Sequence, residues 1–70
     1  MSASKWVAEV YDRLEALALR AAEEKMRGQV WLTVPVRDRR AARRIEFTLG
    51  EWEMASKQER LDLIQRRGTA

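Results

Sequence analysis

Five arginines fall within eight residues in the run Arg37-Asp38-Arg39-Arg40-Ala41-Ala42-Arg43-Arg44. The guanidinium group is planar and always charged, and its fork of N–H donors fits a carboxylate or a phosphate. With one aspartate against five arginines the run is +4, while the whole 70-residue chain is only +3. The positive charge is therefore local, and it marks Arg37, Arg39, Arg40, Arg43 and Arg44 as candidate contacts for something negative. That partner is an acidic protein surface, or a nucleic acid or nucleotide. On a nucleic acid the cluster would neutralise about three to five phosphates, giving salt-sensitive binding of low sequence specificity. The competing reading is a solvated loop. Arginine outnumbers lysine eleven to three, a bias that GC-rich coding would also produce.

Trp31 is the second candidate. In the run 29–37, Val30, Leu32, Val34 and Val36 alternate with Trp31, Thr33, Pro35 and Arg37. A strand puts these two sets on opposite faces. Trp31 then shares the outer face with Arg37 and Arg44, where it would stack on a base or anchor a protein interface. If the sheet is covered on both sides, Trp31 is instead a core residue. Trp6 and Trp52 read as core or dimer contacts.

Catalytic and metal chemistry lacks its usual residues. There is no cysteine and no histidine, which excludes disulfides and thiolate sites and removes the commonest general base and zinc ligand. Glu51 and Glu53 do not share a helix face, Glu23 and Glu24 sit on a solvated one, and Glu46 reads as an ion partner for Arg44. None has an apolar setting that would raise its pKa for acid catalysis. The three glycines form no phosphate loop, and no calcium-loop spacing occurs. The chain is expected to be a binding protein, not an enzyme, and to need no cofactor or metal.

The elements that must position these residues follow from periodicity. Residues 4–27 read as one long helix, with Val7, Val10, Leu14, Leu17 and Ala21 at helical spacing, Ser4 as N-cap and Gly28 just past the end. Glu9–Arg13, Arg20–Glu24 and Glu23–Arg27 stand four apart, as ion pairs on a helix do. Residues 29–37 and 44–49 read as strands of a hairpin, with 38–43 as a long basic loop. Pro35 cannot donate a ladder hydrogen bond, so it requires an edge or a bulge. Thr48-x-x-Glu51 and Ser56-x-x-Glu59 fit the capping box. They predict a helical turn at 50–55 and a helix at 56–67, with Leu61, Leu63 and Ile64 inward, Trp52 and Met54 packed nearby, and residues 68–70 frayed.

The fold class is therefore α+β in one domain, order α-β-β-α, with helices covering the Val/Ile/Phe face of the hairpin. A chain this short buries only about 60% of its unfolded surface. Its long first helix also outruns what the other residues cover, so a homodimer through that helix or the open hairpin edge is expected. No segment is apolar enough to span a membrane. Glu9 and Asp12 interrupt any leader-like apolar stretch, so a cytoplasmic location is expected.

The run Thr48-Leu49-Gly50-Glu51-Trp52-Glu53-Met54-Ala55-Ser56-Lys57-Gln58-Glu59-Arg60 resembles a tail found in small bacteriophage accessory proteins. There a strand leads into Glu-Trp, an apolar residue, a serine cap and a closing helix. The resemblance covers about 20 residues of the 70, and Met54 stands one place earlier than in that pattern. It implies a phage-type protein such as an anti-CRISPR or host-takeover inhibitor, which acts by stoichiometric binding to a host complex in the host cytoplasm. The alternatives are a small DNA- or RNA-binding regulator using the same arginines, and a phage structural or assembly component.

Overall fold

A computed structural model describes residues 5–26, 29–36 and 44–69. The element order is α1 (Lys5–Glu23), β1 (Trp31–Pro35), β2 (Arg44–Thr48), α2 (Leu49–Met54) and α3 (Lys57–Gly68). This is the α+β arrangement read from the sequence, a long helix and an antiparallel hairpin followed by two short helices.

The apolar stripe of α1 buries Val7, Val10, Tyr11, Leu14, Ala18 and Ala21. Leu17, read as part of that stripe, lies at its margin and is 37% exposed. The helix stops at Glu23, earlier than expected, and Gly28 lies outside the described residues, as does Ser4. The stop is made by Lys25, whose φ of 50° is left-handed. Its N–H donates to the Ala22 carbonyl and that of Met26 to the Ala21 carbonyl. This is the Schellman pattern, with lysine where glycine is usual. Of the three expected ion pairs along the helix, Arg20–Glu24 is present at 3.6 Å and fully in solvent. Glu9 and Arg13 do not pair, and Arg27 lies outside the described residues.

The hairpin register sets Trp31 against Thr48, Leu32 against Phe47, Thr33 against Glu46, Val34 against Ile45 and Pro35 against Arg44. Both strands are shorter than predicted, because Leu49 already begins α2. The Leu49 N–H donates to the Val30 carbonyl at 2.8 Å. Antiparallel ladders alternate, so the bonded pairs are Val30/Leu49, Leu32/Phe47 and Val34/Ile45. Trp31, Thr33 and Pro35 turn their backbone groups outward. Pro35 thus occupies the free edge of β1, where its missing N–H breaks no ladder bond.

All helices lie on one face of the hairpin. Leu32, Val34, Ile45 and Phe47 join Val7, Val10, Tyr11, Leu14, Ala18, Trp52 and Ile64 in one core. Phe47 meets Trp52 edge-to-face and Tyr11 meets it tilted, each with centroids 5.2 Å apart. Such pairs add about 0.5–1.5 kcal/mol beyond the area they bury.

Both capping boxes form. Thr48 ends β2 and caps α2 with Glu51, and Ser56 caps α3 with Glu59. Two expectations about this end fail. Met54 is 88% exposed, because α2 turns Trp52 inward and Met54 away. Gly68 does not fray but is buried in the last turn of α3. A Cβ there would stand 2.6 Å from the Ile45 side chain and collide with the Trp6 ring. The glycine is a socket for Trp6, which packs at the edge of the core.

Candidate functional site

The outer face of the hairpin carries Trp31, Thr33, Pro35, Arg44, Glu46 and Thr48. No helix covers it, and Trp31 is 57% exposed. The alternation placed Trp31 and Arg44 on one face, and they are on one face. The register also sets them at opposite ends. Trp31 stands beside Thr48 at the base and Arg44 beside Pro35 at the far end, with Thr33 and Glu46 between them. Four residues of strand separate the two positions, roughly 13 Å. They do not form one contact point. Arg37, Arg39, Arg40 and Arg43 lie outside the described residues. They follow and precede the Pro35/Arg44 pair in the chain.

That far end gathers positive charge from a second element. A cleft of about 290 Å³ is lined by Lys5, Trp6, Glu9, Val10 and Arg13 of α1, with Pro35 and Val36. Lys5 and Arg13 are exposed. Among the described residues, Lys5, Arg13 and Arg44 have no carboxylate within ion-pair distance. Sequence reasoning missed Lys5 and Arg13, because only the packing of α1 across β1 brings them to this end.

The base of the hairpin treats its arginines differently. Arg67 donates to both carboxylate oxygens of Glu51, at 2.9 and 2.6 Å, and to the Glu46 carbonyl at 2.9 Å. Its guanidinium carbon stands 4.4 Å from the centre of the Phe47 ring. The hydrogen bond from Arg67 holds the Glu51 carboxyl below its ordinary range, and Thr48 adds to the effect. Glu51 in turn raises Arg67. Arg60 stacks on Trp52 at 4.6 Å and donates to the Trp52 carbonyl at 2.8 Å, satisfying the end of α2. Glu46, read as an ion partner of Arg44, forms no ion pair among the described residues. It contributes its backbone carbonyl to Arg67 instead.

No protein-family model, curated protein or solved structure matches this chain. The site is therefore argued from geometry alone. Among the described residues, no helix is long and apolar enough to cross a membrane, and no group of acidic side chains could hold a metal ion.

Proposed function

We propose that this chain is a non-enzymatic binding protein that grips an acidic protein surface with the arginine end of its hairpin. In this reading it is a phage-type inhibitor that occupies a site on a host complex stoichiometrically. One observation carries it: Lys5 from α1 converges with Arg44 from β2 at the end where the 37–43 run leaves the sheet, and neither is neutralised among the described residues. Cations from separate elements gathered at one place raise the local potential more than a run in sequence alone does. Arg37, Arg39, Arg40 and Arg43 would extend the same surface, with Trp31 as an apolar anchor at its other end.

A nucleic-acid regulator would use the same cations. The exposed Glu46 between Trp31 and Arg44 counts against it, because a phosphate backbone laid along this face would meet a carboxylate. The test is a titration followed by tryptophan fluorescence, with polyglutamate and with single- and double-stranded oligonucleotides, at low and physiological salt. Polyglutamate binding that disappears when Arg39, Arg40, Arg43 and Arg44 become alanine is the expected result. Oligonucleotide binding that survives physiological salt and depends on those arginines would replace this reading with the nucleic-acid regulator. Binding of neither probe would leave the charge without the proposed role.

A further inference from the structure

The outward flank of α1 bears two exposed leucines, Leu17 and Leu19, the latter 61% exposed. They line a shallow groove of about 580 Å³ with Arg13, Ala16, Arg20 and Glu23, closed on one side by Thr33, Val34 and Pro35. Its charge is arranged symmetrically. Arg13 and Glu23 stand five residues to either side of Ala18, and Leu17 and Leu19 one residue to either side. A second α1 laid antiparallel about Ala18 brings Arg13 level with Glu23 of the copy, and Leu17 level with its Leu19. Each ion pair then occurs twice, as in an isologous two-fold interface.

The sheet edges offer no comparable surface. The outer edge of β2 is engaged where Arg67 donates to the Glu46 carbonyl. The free edge of β1 carries Pro35, which has no N–H to offer and whose ring blocks an approaching strand. A stable interface covers about 800 Å² per partner, a modest part of the 5493 Å² surface. The 19 residues of α1, roughly 28 Å long, with the Pro35 flank beside them, provide that surface.

We propose that the chain is a homodimer in which the outward flanks of two α1 helices pair antiparallel about Ala18, with Leu17 and Leu19 in the seam and Arg13 facing Glu23 of the copy. The pairing does not depend on what the arginine end binds. Sedimentation equilibrium on the full chain over a dilution series reads it directly. The expected result is a dimer that dissociates on dilution. Leu17→Glu combined with Leu19→Glu gives a monomer with an unchanged far-ultraviolet circular dichroism spectrum, since neither side chain is in the core. Arg13→Glu or Glu23→Arg alone weakens the dimer roughly tenfold, and the two together restore it. A monomer at every concentration, or a dimer indifferent to the leucine substitutions, overturns the proposal. Failure of the charge swap to restore association overturns the antiparallel register.

Discussion

The two ends of the hairpin use the same residue type in opposite ways. At the base, Arg67 is tied to Glu51, to a β2 carbonyl and to the face of Phe47, and Arg60 lies over Trp52. At the far end, Arg44 and Lys5 are unpaired among the described residues. Arginine content alone therefore says little about binding. What separates a structural arginine from an available one is a carboxylate and an aromatic face within reach. Here the tertiary fold supplies both at one end only.

Four measurements break or sharpen this contrast. The largest effect is expected where the two ends share a core. Leu14 is fully buried, so Leu14→Asp puts an unpaired charge in the apolar stripe and should unfold the protein, read as loss of the circular dichroism transition. Next is Gly68→Ala. Alanine is the better helix former by about 1 kcal/mol, but the Cβ collides with Trp6 and Ile45. Overpacking costs about 1–3 kcal/mol, so a net loss is expected in urea denaturation. Gly50, whose Cβ would meet open space, is the control, and Gly50→Ala should be neutral or slightly stabilising.

The third measurement sets the ends against each other. Arg67→Ala should cost about 1–2 kcal/mol, since hydrogen bonds to a charged group are lost at a half-exposed site. Arg44→Ala should change stability by less than about 0.5 kcal/mol, as exposed substitutions do. The Arg67 effect also has a pH signature. Glu51 is held below its ordinary 4.5 in the folded state, so its contribution is present at neutral pH and fades as the pH falls below that value. The gap in Tm between wild type and Arg67→Ala should narrow over the same range. The smallest effect is at Lys25, where glycine would relieve the left-handed φ. Lys25→Gly should stabilise by up to about 1 kcal/mol in thermal melts.

The parts legible in sequence are those governed by local rules. Helical spacing gave Val7, Val10, Leu14 and Ala21 as the buried stripe. Alternation gave both faces of the hairpin, and two capping boxes gave the starts of α2 and α3. Local rules failed where a distant segment decides. The end of α1 was sought at Gly28, yet backbone hydrogen bonds close it at Lys25 against that residue's preference. Nothing near Gly68 announces that Trp6 will sit on it, and Arg67 and Glu51 show no local pattern. At the site, alternation put Trp31 and Arg44 on one face, but only the register reveals that they stand at its two ends. Lys5 joins that surface through the packing of α1 alone.

The Trp6–Gly68 socket has a kinetic consequence. It joins the first turn of the first helix to the last turn of the last one, so no part of the core is complete until the whole chain has come together. Closing so long a loop costs little more than closing one half its length, about 0.6 kcal/mol. It nevertheless excludes stepwise assembly from either end, and the molecule should fold and unfold as a single cooperative unit. The environment of Trp6 is then a natural clock for the final event, since its indole loses solvent when the socket closes.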